Sequence, residues 1–143
     1  MSIIESLRQW LLTCPLLTDL SRLGVDFLPQ DPSTYSVEQV PAQPILRQYL
    51  DGSSERQFVF VFASRMHYSD ELRNNLENSG FYESFADWLE QQTDAENLPE
   101  MAAGKTPTRI EATSNGYLFD VSGNFTNARY QIQCRLIYDQ EKG

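Results

Sequence analysis

The sequence predicts an α+β fold, a single domain over residues 1–143 with an antiparallel-dominated mixed sheet and two helical segments packed on one face. Three observations carry this prediction. Ile3, Ile4, Leu7, Trp10 and Leu11 recur at helical spacing and form one apolar stripe. In the stretch Arg56–Arg65 (RQFVFVFASR), Phe58, Phe60 and Phe62 alternate with Gln57, Val59, Val61 and Ala63. Both faces of that strand are largely apolar, as expected of a central strand covered on each side. From Ala128 to Asp139, an apolar set (Ala128, Tyr130, Ile132, Cys134, Leu136, Tyr138) alternates with a Gln/Arg-rich set (Arg129, Gln131, Gln133, Arg135, Ile137, Asp139). That pattern marks a strand with one core face and one polar face, solvated or interfacial. A chain of 143 residues, 41% apolar and 22% charged, suits one globular domain.

The first helix is expected over residues 2–13, with Ser2 as N-cap and Glu5 three residues on, and Pro15 ends or kinks it. Leu16–Leu23 extends the helical character and Gly24 is a C-terminal stop. Val25–Leu28 is a short strand closed by Pro29. Prolines at 29, 32, 41 and 44 preclude a long element through that region, leaving Thr34–Val37 as a short edge strand. Ile45–Leu50 and the central strand form a hairpin around Asp51-Gly52-Ser53-Ser54. Tyr68–Thr93 is helical in character, with Leu72, Leu76, Phe81, Phe85, Trp88 and Leu89 on one face. A break is expected at Ser79-Gly80, so its firm part is Phe81–Gln92, capped by Asn78 or Ser79. Asp94–Pro107 is a long connection without periodicity, a candidate to order on assembly, and it contributes Glu96, Glu100 and Lys105 as interface candidates. Thr108–Val121 reads as one long strand bent by a bulge at Ser114-Asn115-Gly116, in preference to a hairpin, and Ser122-Gly123-Asn124 turns the chain.

Charge is unevenly placed. Residues 67–100 hold nine acids and one base, and thus nearly all of the net charge of −9. One strongly acidic face is expected. Such a face repels DNA and anionic membranes, and it serves either solubility or contact with a basic partner, or lines a passage to which DNA must not adhere. No run approaches the ~18 apolar residues that span a bilayer. Glu5 and Arg8 within the first apolar stretch favour an amphipathic helix over a signal peptide.

No catalytic constellation stands out. His67 is the sole histidine, and Cys14 has no cue linking it to His67. Neither a HExxH, a CxxC, a Walker loop nor a GxGxxG occurs, so no cofactor is expected. Cys14 and Cys134 read as buried free thiols. The acids at 83, 87 and 90 have the spacing of a solvated helix face. Arg56, Arg65, Arg129 and Arg135 lie on or beside strands and are candidate partners for a neighbour's carboxylates if the polar sheet face is shared. Tyr35, Tyr49, Tyr68, Tyr82 and Tyr117 fall in or beside loops and strand ends, where exposed tyrosine favours protein interfaces. Among them, Tyr68 joins the interface candidates.

Four strings, ILRQYLDGSSERQFVFVFASR, ENSGFYESFADWLEQQ, RIEATSNGYLFD and ARYQIQCRLIYDQ, resemble the small minor tail proteins of phages and prophages of Gram-positive bacteria, of the tail-completion or tail-terminator type found in long non-contractile tails. The resemblance spans about residues 5–140 and rests on structural strings, with no active site to carry over. It implies a mixed sheet with helices against it and assembly into a ring, typically a hexamer. The ring would cap the head-proximal end of the tail tube and join it to the head connector, with DNA passing through its lumen without sequence-specific binding. It also implies location in the virion tail, after residence in the bacterial cytoplasm before assembly. The alternative from the residues alone is a small α+β ligand-binding domain with a pocket between helix and sheet lined by Phe and Tyr.

Overall fold

Helix α1 (Ile3–Leu11) begins where Ser2 Oγ accepts the Glu5 N–H at 3.2 Å, the capping expected of that pair. It buries Leu7, Trp10 and Leu11. The computed structural model describes residues 1–17, 23–29, 33–68, 72–121 and 127–142. Strands β1 (Leu23–Val25), β2 (Thr34–Gln39), β3 (Ile45–Gln48) and β4 (Ser54–His67) follow, then helix α2 (Leu72–Asp94) and strands β5 (Lys105–Ala112), β6 (Tyr117–Val121) and β7 (Asn127–Gln140). The strands form one seven-stranded sheet in the order β1-β2-β4-β7-β5. Strand β3 continues the β2 side of β4, and β6 continues the β5 side of β7. Among the described residues, only the β1–β2 pairing is parallel.

The central ladder is β4 against β7, in unbroken register from Ser54↔Gln140 to His67↔Asn127. Strand β4 is thus the expected central strand, longer at both ends than RQFVFVFASR. Both helices cover the same sheet face, where Phe58, Phe60 and Phe62 meet Leu7, Trp10, Leu11, Phe85, Trp88 and Leu89 in one core. Phe62 stacks on Phe85 with ring centroids 4.5 Å apart, and Trp10 meets Trp88 at 4.6 Å. On the opposite face, Val61 and Ala63 are covered by Leu28 and Val40, strapped down by Val40 N–H to Val59 O at 3.0 Å.

Several expectations are corrected. Thr34–Val37 belongs to an interior strand, because β1 shields its outer side. The strand expected at 25–28 lies at 23–25, and the chain leaves it at Asp26, whose φ is +53°. Gly24, expected to stop a helix, is paired with Ser36, where any side chain would press on the Phe27 carbonyl. The helical extension over 16–23 and the turn at Ser122-Gly123-Asn124 lie largely or wholly outside the described residues, as do the side chains of Leu72 and Leu76. Helix α2 runs unbroken through Ser79-Gly80. Gly80 is exposed, so its cost of about 1 kcal/mol is offset by the burial of Tyr82 and Phe85 immediately after it. The bulge expected near 114–116 is present. Four residues, 113–116, oppose only Ile132 and Gln133 of β7, and Gln133 O accepts the N–H groups of both Thr113 and Ser114. Pro107 is accommodated because β5 is an edge strand.

The connection after α2 is also corrected. It packs within the domain, with Trp10 Nε1 donating to Asn97 O at 2.9 Å, and with Leu98 and Met101 against the core.

Candidate assembly surfaces

The polar face of β7 holds two side-chain networks that its alternation alone does not specify. In the first, Arg129 makes a two-pronged contact with Glu38 of β2, with Nη2–Oε1 at 2.8 Å and Nη1–Oε2 at 3.2 Å. Arg129 Nε donates to Gln131 Oε1 at 3.0 Å, and Gln131 Nε2 donates to Tyr117 Oη at 2.6 Å. The Phe119 ring lies 5.2 Å from the Arg129 guanidinium carbon, a cation–π contact. The network therefore reaches from β2 to the β6 edge. In the second, Arg135 Nε donates to Glu111 Oε2 at 3.1 Å and Nη1 to Gln57 Oε1 at 3.4 Å, while Arg109 meets the other oxygen of Glu111 at 3.3 Å.

Within the chain, Arg129 and Arg135 already meet carboxylates, Glu38 and Glu111. Arg65 stands directly opposite Arg129 in the ladder and is buried, with Nε donating to Pro29 O at 3.2 Å. Burial, and then the like charge of Arg129, lower its pKa, while Asp120 opposes that shift. Arg56 is paired with Tyr138 on the helix-covered side and donates to Ser54 Oγ at 3.0 Å.

The remaining candidates do not converge with the arginines. Tyr68 is half-buried against the core. Glu96 is exposed at φ +58°, and Glu100 is exposed beside Trp10 and Leu98. Lys105 is half-buried where β5 begins, opposite Gln140. Of the tyrosines expected at interfaces, Tyr35 and Tyr82 are instead core residues. Tyr82 Oη donates to Tyr130 O at 3.0 Å and bonds Ser64 Oγ at 2.5 Å. Burial drives its phenol pKa upward.

Two exposed apolar patches were only partly visible beforehand, through Tyr49 and Tyr117. One is the β3–β4 hairpin, with Leu46 and Tyr49 41% exposed and Leu50 fully so. The other is strand β6, with Tyr117, Leu118 and Phe119 exposed by 42–58%. Together they account for six of the nine large exposed apolar side chains among the described residues. Strand β3 pairs with the Ser54–Arg56 end of β4, and β6 with the Ala128–Gln131 end of β7. Because β4 and β7 are antiparallel, the patches occupy diagonally opposite corners of the sheet.

The acidic surface is real along α2, where Glu83, Asp87, Glu90 and Asp94 are exposed. Beside it a cleft of about 370 Å³ is lined by Asp87, Glu90, Asp94, Arg109 and Glu111. Both cysteines are buried and free, as expected. His67 is exposed at the end of β4, with its carbonyl accepting from Asn78 Nδ2 at 3.1 Å. Among the described residues, no His, Cys, Asp and Glu side chains cluster to hold a metal, and no helix is long and apolar enough to cross a membrane. No known protein-family model matches the chain, and no curated protein matches it.

Proposed function

We propose that this chain is a non-enzymatic phage or prophage assembly protein of the tail-completion type. In this reading it forms a ring, a hexamer on the resemblance, that ends the tail tube and joins it to the head connector. The observation that carries the reading, beside the resemblance of its sequence, is the diagonal placement of two different apolar corners on one rigid sheet. Copies that associate head to tail through two unlike patches generate a ring when the rotation closes. The Phe- and Tyr-lined pocket that a small-molecule reading puts between helices and sheet is occupied by Phe62, Tyr82 and Phe85 themselves, and the cleft that remains between α2 and β5 is lined mainly by charged side chains.

The mechanism is geometric. One face of the ring buries the growing end of the tube, and the other presents a surface that tube subunits do not match. The acidic row on α2 suits a lumen through which DNA slides without adhering, since phosphates and carboxylates repel.

Electron microscopy of the protein mixed with assembling tail tubes tests this. The expected result is density at one tube end and arrested elongation. Tubes that stay bare and lengthen at the same rate with the protein in excess would overturn it.

A further inference from the structure

We infer that Asn115 is a site of spontaneous covalent modification in the folded protein, where the backbone nitrogen of Gly116 attacks the Asn115 side-chain amide and converts it to aspartate and isoaspartate. The site lies on the bulge between β5 and β6 and is independent of the assembly reading. Asn115 is the one asparagine of the chain that is followed by glycine. Glycine there puts no side chain in the path of the attacking nitrogen and lets the backbone turn to meet the amide.

The bulge leaves both reacting groups free. The β5 ladder ends at Ala112↔Cys134 and the β6 ladder begins at Tyr117↔Gln131, so Gly116 lies between the two. Thr113 and Ser114 direct their N–H groups to Gln133 O, whereas the Gly116 N–H meets no acceptor among the described residues. Asn115 is exposed, and the hydrogen bond it receives falls on its main-chain oxygen, from Ser114 Oγ at 3.0 Å. That bond draws charge from the peptide and makes the Gly116 N–H more acidic. Other asparagines are tethered. Asn78 Nδ2 donates to His67 O at 3.1 Å from within α2, and Asn97 Nδ2 donates to Gln92 Oε1.

The step balances with water as its only co-reactant. The Gly116 nitrogen gives its proton to solvent base and bonds to Asn115 Cγ, and the side-chain nitrogen leaves as ammonia. Water then opens the cyclic imide. Addition at Cγ breaks the new N–Cγ bond and yields aspartate. Addition at the main-chain carbonyl breaks the original peptide bond and yields isoaspartate, with the chain rerouted through the side chain.

The surroundings give the modification a structural consequence. Asn115 and Gly116 line a cleft of about 400 Å³ with Tyr82, Glu83 and Asp87. Either product adds a carboxylate to a cleft that already holds two, and like charges repel. The rerouted chain also inserts a backbone atom beside Gly116, where even a Cβ would overlap the Tyr82 side chain. Modification should therefore loosen the bulge from α2.

Peptide mapping of the full-length protein, aged in mildly alkaline buffer both native and in denaturant, tests the site. Ammonia release is followed alongside, and isoaspartate is detected with an isoaspartyl methyltransferase. In the native protein, conversion at Asn115 should outpace that at Asn78 and Asn97, with ammonia rising in step. Asn115→Gln should abolish nearly all of the early ammonia release and keep the parent melting curve, because its longer side chain must close a larger ring. The converted fraction, separated by its added negative charge, should melt below the parent. Conversion confined to the denatured chain would overturn the inference, since the fold would then hold Asn115 out of reach. Native conversion at Asn78 or Asn97 equal to that at Asn115, or ammonia release that Asn115→Gln leaves unchanged, would do the same. A converted fraction that melts with the parent would overturn the loosening.

Discussion

Arg129 and Glu38 stand 91 residues apart in the chain and meet through two parallel hydrogen bonds of 2.8 and 3.2 Å across the open face of the sheet. The pair clamps β2 to β7 over the top of β4, and the arginine also underlies Phe119. The most conspicuous arginine of the last strand is therefore a structural tie, and its loss is felt in the stability of the fold.

Replacing Arg129 with Gln leaves Glu38 half-buried and without its partner, at an expected cost of about 2 kcal/mol in urea denaturation. Arg129→Lys should recover only part, since an ammonium cannot form both bonds in one plane. An unchanged midpoint for Arg129→Gln would show that the clamp contributes nothing.

Two glycines predict opposite outcomes. A Cβ at Gly116 would overlap the Tyr82 side chain, so Gly116→Ala should destabilise by about 2 kcal/mol. A Cβ at Gly80 meets nothing, and Gly80→Ala inside α2 should stabilise by about 0.5–1 kcal/mol. Thermal melting of the two variants side by side checks both signs.

The segment after α2 should behave as part of the domain. Trp10→Phe removes the donor to Asn97 O and should cost about 1 kcal/mol. Deleting residues 96–104 also strips Leu98 and Met101 from the core and should lower the melting temperature by roughly 10 °C. A deletion that melts like the parent would mean the segment is loosely attached after all.

Stability should fall in alkali. Burial raises the pKa of the Cys134 thiol and the Tyr82 phenol, so folding favours their neutral, protonated forms. Their contribution is complete below the unfolded values, about 8.5 for Cys and 10 for Tyr, and is lost as pH rises beyond them. The melting temperature should therefore decline between about pH 9 and 11, with a shallower slope in Tyr82→Phe. A flat profile over that range would contradict the burial argument. Native protein should leave both cysteines unmodified by a thiol reagent that titrates them in denaturant.

How much was legible depended on whether the signal was local. Phe58, Phe60 and Phe62 announce a buried strand through a two-residue period, and Leu7, Trp10 and Leu11 a buried helical stripe through a 3.6-residue one. Tyr35 and Tyr82 looked like candidates for exposure because they sit near element ends, yet the phase of β2 and α2 turns both into the core. Tyr117, read on the same grounds, is exposed because β6 is an edge. Gly80 reads as a break when only propensity is weighed, and packing of the residues after it overrides that.

By itself the sequence determined the α+β class, the central position of the strand at 56–65, the two-faced last strand, the bulge before it and the acidic row on α2. Each of these is a short-range pattern of side-chain type against backbone period. Only the tertiary structure decided that Arg129 and Arg135 close on Glu38 and Glu111, that β2 is interior, that the long connection packs against Trp10, and that six apolar side chains gather at two opposite corners. Those outcomes depend on strand order and register. A slip of one residue moves every side chain to the other face, and no local pattern specifies which distant strand will lie alongside.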